Sequence, residues 1–209
     1  IFDGIGHKYL CRILQVHKKE VVAEKVSTEQ YSAESPVEIT LAQGLPKADK
    51  MEFIIQKSTE LGVSKIVPLI TERSQVRHTE KIDRWRKIAL SAAQQCGRER
   101  IPEIREPVDF RDFIIPSPLA GEGELFHSGI IFSEEKKDRN LKKILSDFQD
   151  IKNITLLIGS EGGFTHEEVQ LAIDKGFEEA SLGTRILRTE TAPITAISII
   201  QYELGDIGQ

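Results

Sequence analysis

The chain has 209 residues, a hydrophobic fraction of 39%, a charged fraction of 29% and a net charge of −5. These values are typical of a globular protein with one or two domains, and the negative charge argues against a general nucleic-acid coat protein. No apolar run is long enough to span a bilayer and no signal peptide opens the chain, so we expect no membrane association. Two cysteines, Cys11 and Cys96, are too few for a disulfide framework. They fit a reducing compartment, which predicts a cytoplasmic protein.

The first 35 residues are predicted to form a small β unit. Apolar residues alternate or cluster over Tyr9–Leu14 and Glu20–Glu24, which indicates two strands, and Ser32–Pro36 has the composition of a linker. We therefore divide the chain into residues 1–35 and residues 36–209. The first unit is too short to bury a core of its own. Because the chain begins with Ile1 rather than Met, we expect its N-terminus to be missing or processed.

The second unit alternates between strand-like and helix-like periodicity. Strands are predicted over residues 37–42, 65–70, 129–133, 154–159 and 180–182, and helices over residues 48–61, 80–96, 139–148 and 191–204. A further helix is predicted to open at Thr165, because Glu168 three residues later completes a capping box. Pro116–Gly123 is rich in proline and glycine and is predicted to be a mobile loop. This alternation predicts an α/β fold with a mainly parallel sheet and helices on both of its faces.

Positive charge is confined to one part of the chain. Gln43–Arg105 carries 13 lysines and arginines against 8 acidic residues, whereas Glu106–Gln209 carries 10 against 19. A local excess of this kind suits a site for a polyanion, and it equally suits a solvated helical face.

Two segments each combine an apolar strand with a loop of small and polar residues and the start of a helix. One runs from Leu157 to Thr165 and contains Gly159, Ser160, Glu161, Gly162 and Gly163 in succession; the other runs from Leu182 to Thr191. The first is neither a Walker A loop nor a G-x-G-x-x-G fingerprint, so nucleotide binding of those two kinds is disfavoured. Because ligands of open α/β sheets bind outside the carboxyl ends of the strands, the two loops are candidates for enclosing one ligand. The alternative for the glycines is a tight strand-to-helix turn.

The same segments carry a family resemblance. Ile-Gly-Ser-Glu-Gly-Gly-Phe (158–164) and Leu-Gly-Thr-Arg-Ile-Leu-Arg-Thr-Glu-Thr-Ala (182–192) resemble motifs of the RsmE family. So do Gln43–Lys47 followed by Gln56–Val63, Glu72–Ser74 and Ala92–Arg98. The resemblance covers about Leu41 to Asp206, with a weaker match over Ile1–Leu14.

Members of the RsmE family are SPOUT-class enzymes that methylate N3 of a uridine in 16S ribosomal RNA with S-adenosyl-L-methionine. The resemblance therefore implies a trefoil knot in the C-terminal part, although general rules on chain topology would predict an unknotted sheet. It also implies that residues 1–35 are the remnant of a PUA-like RNA-binding barrel. The partner would be 16S rRNA, within the small ribosomal subunit. The cofactor contacts that it implies are Ile158, Gly159, Gly163, Leu182, Gly183, Ile186, Leu187 and Arg188.

The chemistry that this resemblance implies needs an acceptor for the N3 proton and a cation near the uracil oxygens. Arg188 and Glu190 are the candidate catalytic residues, although Glu190 equally fits a capping or ion-pairing residue at the start of the last helix. The candidate RNA-binding residues are Lys47, Arg73, Arg77, Gln95 and Arg98. Five scattered histidines show no ligand spacing, so no metal is expected.

The last predicted helix has apolar residues on nearly two sides. Positions 194, 197 and 200 lie on a different side from positions 192, 196 and 199. One side can pack on the sheet of its own subunit, and the family's dimers use this region, so we expect a homodimer; the alternative is a helix buried within one subunit. Two other functions remain open: a SPOUT enzyme acting on the ribose 2′-OH, and a non-catalytic RNA-binding module.

Overall fold

The computed structural model describes residues 1–28, 33–115, 128–134, 141–148 and 151–208. Its N-terminal part is an antiparallel hairpin of β1 (Tyr9–Val16) and β2 (Val21–Thr28). Most apolar side chains of the hairpin are exposed, as expected for a unit too small to bury a core. The preceding loop rests on the larger unit, where the Gly6 amide donates to the Glu99 carbonyl at 3.1 Å.

The larger unit is built on a seven-stranded sheet. Its strands are β3 (Glu38–Gly44), β4 (Lys65–Ile70), β5 (Glu103–Ile104), β6 (Val108–Asp109), β7 (Gly129–Phe132), β8 (Asn153–Ile158) and β9 (Phe177–Ala180). The order is β5-β4-β3-β8-β7-β9, with β6 also pairing with β4, and every one of these pairings is parallel. The prediction of a mainly parallel sheet is confirmed. The carboxyl ends of β3, β7, β8 and β9 therefore meet at one edge.

Helices cover both faces of this sheet. They are α1 (Lys50–Glu60), α2 (Ile82–Cys96), α3 (Phe110–Ile114), α4 (Leu141–Asp147), α5 (His166–Asp174) and α6 (Thr191–Glu203). Neighbouring strand residues point to opposite faces: Leu156 joins the apolar cluster that includes α1, α2, α4 and α6, whereas Leu157 joins the cluster that includes α3 and α5. No helix of the described residues is both long and apolar enough to cross a bilayer.

Three stretches differ from the sequence prediction. The strand expected at 180–182 lies instead at Phe177–Ala180. It begins directly after the turn through Gly176 that follows α5, and the buried side chain of Glu179 interrupts the apolar pattern by which the strand could have been recognised. The short elements β5, β6 and α3 went unpredicted, since two-residue strands carry no periodicity. The loop predicted at Pro116–Gly123 lies outside the described residues.

Helix α6 buries a different stripe from the one expected. Ala196, Ile197 and Ile200 are all buried together, facing α1 and β3, so positions that were assigned to separate sides share one interface. Ile194 and Ile199 are half-buried, and Tyr202 is exposed. The helix thus has one fully buried side, with Ile194 and Ile199 at its two edges, and an opposite side on which Tyr202 is exposed.

Candidate active site

Two loops at the carboxyl edge of the sheet enclose a cavity of about 540 Å³. We call residues 159–164, which follow β8, the glycine loop, and residues 181–190, which follow β9, the arginine loop. All residues predicted to contact the cofactor lie on the cavity wall: Ile158, Gly159, Gly163, Leu182, Gly183, Ile186, Leu187 and Arg188. The volume is that of a typical small-molecule site, and the wall combines backbone with apolar side chains.

The glycine loop folds tightly on itself. A Cβ atom at Gly159 would lie 2.8 Å from the backbone of Gly163, so only glycine permits this approach. Gly163 has a φ of +66°, and beyond its chain neighbours no atom of the described residues lies within 4 Å of the position its Cβ would take. The loop therefore presents bare backbone to the cavity, as a ligand held through main-chain groups requires.

Arg73 holds the glycine loop from outside. Its Nη1 donates to the carbonyl oxygens of Gly162 and Phe164, both at 3.0 Å, and its side chain forms part of the cavity wall. The turn that carries Arg73 is itself anchored, because the Glu72 amide donates to the carboxylate of Glu168 at 2.8 Å. Glu168 also completes the capping box with Thr165, which confirms the predicted helix start. Arg73, predicted to contact RNA, here secures the loop.

A third part of the wall was missed by the sequence analysis. Phe132, Ser133 and Glu134 line the cavity at the carboxyl end of β7. No glycine or motif marks this segment, so its only sequence signal is its position directly after a predicted buried strand, where ligands of parallel sheets bind.

Charged side chains bridge the two loops at the rim. Lys50, at the first turn of α1, places its Nζ 2.8 Å from Glu161 Oε1 of the glycine loop and 3.5 Å from Glu190 Oε2 of the arginine loop. The hydrogen bond to Glu161 raises the pKa of Lys50, against a smaller opposing effect of burial. Burial acts to raise the pKa of Glu161, but hydrogen bonds from Lys50 and from backbone amides outweigh it and lower that pKa below its usual value. Both groups are therefore held in their charged forms.

The two candidate catalytic residues are adjacent but differently exposed. The Arg188 side chain is 84% exposed and its Nη1 lies 3.9 Å from Glu190 Oε1, whereas the Glu190 side chain is only 21% exposed. Glu190 occupies the N-cap position of α6 without a side-chain capping bond. It is therefore an ion-pairing residue, and Arg188 projects into solvent at the mouth of the cavity.

The remaining candidate RNA-binding residues separate into two groups. Lys47, Arg77 and Gln95 are exposed; the backbone amide of Lys47 donates to Glu161, and Arg77 donates to the Glu72 carbonyl at 3.1 Å. Arg98 is only 4% exposed, pairs with Glu34 at 2.6 Å and donates to the carbonyl oxygens of Thr59 and Val63. In this conformation the Arg98 guanidinium bonds to internal partners, so Arg98 stabilises the fold. The exposed residues are better placed to contact RNA.

No group of three or more histidine, cysteine, aspartate or glutamate side chains within the described part of the chain is placed to hold a metal ion.

Sequence comparison places this architecture among known proteins. A family model described as an RNA methyltransferase domain matches residues 33–201. The chain is 36% identical over 211 aligned residues to ribosomal RNA small subunit methyltransferase E of Buchnera aphidicola, covering 99% of the chain and 79% of that protein. It is 33% identical to the Bacillus subtilis protein of the same name, covering 96% and 79%.

Solved structures agree with the sequence relatives. Ribosomal RNA small subunit methyltransferase E from Neisseria gonorrhoeae, bound to S-adenosyl methionine, superposes with a TM-score of 0.85 at 36% identity, covering 99% of this chain and 83% of that one. A methyltransferase from Legionella pneumophila, in complex with the same cofactor, superposes with a TM-score of 0.84 at 38% identity over the same shares of each chain.

Proposed function

Because the chain belongs to the family of ribosomal RNA small subunit methyltransferase E, we propose that it transfers a methyl group from S-adenosyl-L-methionine to N3 of a uridine in 16S rRNA. The observation that carries the proposal is the cavity between the glycine and arginine loops, whose wall contains every residue predicted to contact the cofactor.

The residues present fit this cofactor. Phe132, Ile158, Leu182 and Leu187 would hold its apolar parts, and the open space beside Gly163 is a cradle that any Cβ would enter. S-adenosylmethionine supplies an electrophilic methyl carbon on a sulfonium, so the transfer is an in-line displacement that depends on alignment. The protein's contribution is therefore to bind, to orient and to exclude water from this cavity.

The charged rim supplies the remaining chemistry. N3 of uracil must lose its proton before its lone pair attacks, and the negative charge then spreads to O2 and O4. Arg188, exposed at the mouth of the cavity, is suited to stabilise those oxygens, because a cation placed where charge develops lowers the barrier. Glu190, which pairs with Lys50 and lies 3.9 Å from Arg188, is our candidate to accept the proton directly or through water, although among the described residues the carboxylates on the cavity wall are Glu134 and Glu161. These two roles are proposals for this site.

The fold also supports three structural proposals. Residues 1–35 form the RNA-binding remnant of a PUA-like barrel, and residues 36–209 form the catalytic domain. The chain leaves edge strand β9 and returns along the carboxyl edge to pack α6 against α1 and β3, a path that suits the trefoil knot of SPOUT enzymes.

A protein that modifies 16S rRNA within the small ribosomal subunit would work in the cytoplasm.

Assembly as a homodimer is supported by the side of α6 opposite its buried stripe, where Tyr202 is exposed and Ile194 and Ile199, at the two edges, are half-buried. We expect sedimentation velocity on the cofactor-bound full-length protein to show a dimer at micromolar concentration. Tyr202→Glu should shift it toward monomer, while Tyr9→Glu, on the hairpin, should leave the distribution unchanged. A monomeric wild type would contradict the proposal.

The function is tested with methyl-labelled cofactor and small ribosomal subunits that lack the modification. Label should enter 16S rRNA and, after digestion to nucleosides, should be recovered as 3-methyluridine. Recovery in a 2′-O-methylated nucleoside would indicate the ribose-directed alternative. RNA binding without any transfer would indicate a non-catalytic module.

A further inference from the structure

A buried side-chain amide lies beneath both loops. Gln43, next to the last residue of β3, is fully buried and does not line the cavity. Its Nε2 donates to the carbonyl oxygens of Gly44 and Gly159, both at 3.0 Å, and lies 3.4 Å from Thr189 Oγ1. Thr189, also buried, donates through the same hydroxyl to the Gly159 carbonyl at 3.1 Å. A single carbonyl of the glycine loop is therefore held by β3 and by the arginine loop together.

The amide has only one orientation that suits these neighbours. The oxygens of Gly44 and Gly159 accept and cannot donate, so the nitrogen must face them. In this orientation Gln43 Oε1 is buried and has no hydrogen-bond partner among the described residues. An unpaired buried acceptor destabilises a protein, and an apolar side chain of the same shape would avoid that cost. Because glutamine is present despite this destabilisation by Oε1, we infer that the hydrogen bonds of its nitrogen have a role that offsets it.

We propose that Gln43 and Thr189 are positioning residues that lock the glycine and arginine loops into one preformed cofactor pocket. The proposal rests on the proposed function, because the ligand that benefits is S-adenosylmethionine. Fixing the Gly159 carbonyl fixes the plane of its peptide unit, since the peptide bond is rigid. Gly159 and Thr189 both line the cavity, so a ligand that meets both loops binds more tightly when neither loop must be ordered on binding.

This buried lock differs from the ionic bridge at the rim. Lys50 also joins the two loops, but its ion pairs are partly exposed and are weakened by salt. The bonds around Gly159 are shielded from water, so no solvent molecule replaces them directly when one is lost. Their effect on the pocket should therefore be insensitive to ionic strength.

The test uses near-isosteric variants of the full-length protein. Thr189→Val removes the hydroxyl and keeps the branched shape, while Thr189→Ser keeps the hydroxyl and is the matched control. Gln43→Met removes both the donor and the orphaned oxygen, and the double variant combines it with Thr189→Val. Affinity for S-adenosylmethionine is measured by calorimetry, and melting temperature and amide hydrogen exchange are measured without cofactor.

We expect Thr189→Val and Gln43→Met each to weaken cofactor binding about tenfold, and Thr189→Ser to stay within about twofold of wild type. The double variant should lose much less than the product of the two single losses, because both residues act through one carbonyl. In both single variants, exchange should accelerate in residues 159–164 and 181–190 together. Gln43→Met should lower the melting temperature only slightly, because removal of the unpaired buried oxygen offsets part of the loss of the nitrogen's hydrogen bonds.

Four results would overturn the proposal: unchanged affinity in both variants, multiplicative losses in the double variant, faster exchange in one loop only, or an affinity loss in Thr189→Ser equal to that in Thr189→Val. The exchange measurement needs no cofactor, so it decides whether the loops are coupled even if the wild type binds no S-adenosylmethionine. That last result would instead contradict the proposed function.

Discussion

Among single residues, Gly163 gives the sharpest test of the cavity wall. Gly163→Ala places a Cβ in the open space at the wall and forces a φ of +66° on an L-residue. Gly97→Ala is the matched control, because Gly97 has a φ of +80°, equally open surroundings and no place on the cavity wall. Both changes should cost about 1–2 kcal/mol of unfolding free energy from backbone strain.

Only the Gly163 variant should lose affinity for S-adenosylmethionine, and Gly163→Val should abolish binding. Calorimetry beside urea unfolding separates the two effects. Equal affinity in Gly163→Ala and Gly97→Ala would remove the glycine loop from the ligand site.

Lys50 is the second residue whose substitution should have a measurable effect, here on kcat and on the pH dependence of the rate. Lys50→Met should lower kcat about tenfold, which is less than the roughly 100-fold or greater loss expected when a general acid or base is itself removed, because it only releases Glu190 from its ion pair at the rim. Lys57→Met is the control, since Lys57 lies on the same helix and its ion pair in the described part of the chain is with its neighbour Glu60, at 2.8 Å.

The same variant should change the pH profile. Glu161 has a lowered pKa in the folded protein. The hydrogen bonds to its charged carboxylate are therefore present above the usual pKa range of glutamate and are lost as pH falls through the lowered value. Removing Lys50 should move the acidic limb of the rate profile to higher pH. An unchanged limb would show that Glu161 does not govern it.

At the scale of elements, Glu34 joins the linker to the catalytic unit. Its carboxylate accepts from Arg98 and from the backbone amides of Glu99 and Arg100. Burial alone would raise the pKa of Glu34, but these hydrogen bonds lower it below the usual value. The interaction stabilises the fold above the usual carboxyl pKa and is lost as pH falls through the lowered value.

Glu34→Gln should therefore destabilise the protein by about 3 kcal/mol at neutral pH, because Arg98 is left as a buried charge with a weakened partner. The difference from wild type should shrink below about pH 4. Glu38→Gln is the control: its pair with Arg100, at 3.5 Å, is exposed and should contribute less than about 1 kcal/mol. Urea unfolding at pH 7 and pH 3 measures both variants, and a pH-independent difference for Glu34→Gln would contradict the argument.

The elements also show what the sequence can reveal. Long periodic segments such as Lys65–Ile70 were predicted to the residue, and the glycine-rich loops were found because glycine marks backbone geometry directly. Gln43 was missed because its partners lie 116 and 146 positions away, and a polar residue in a strand carries no local signal. The burial of Arg98 was equally invisible, since motif spacing says nothing about which charge finds an internal partner.

For the whole molecule, the basic excess of residues 43–105 divides into internal and external charge. Arg98 is buried and pairs internally, and Arg73 is exposed but holds the glycine loop, whereas Lys47 and Arg77 are exposed beside residues that hold that loop. Lys47→Ala combined with Arg77→Ala should weaken binding to 16S rRNA and reduce the slope of log affinity against log salt by about 1.5.

Arg84→Ala is the control for this experiment, because Arg84 is exposed on α2, pairs with Glu52 and does not line the cavity. Affinity for S-adenosylmethionine should be the same in all three proteins. A salt slope unchanged by the double variant would show that the exposed basic residues only solvate this surface.

The hydrogen bond from Gln43 to the Gly159 carbonyl joins residues 116 positions apart, and this separation affects the stage of folding at which the pocket forms. Closing a loop of that length is entropically costly, so β3 and β8 meet only after much local structure has formed. We therefore expect the ligand site to form late in folding. For this reason we expect bound cofactor to lower the unfolding rate and to leave the folding rate unchanged.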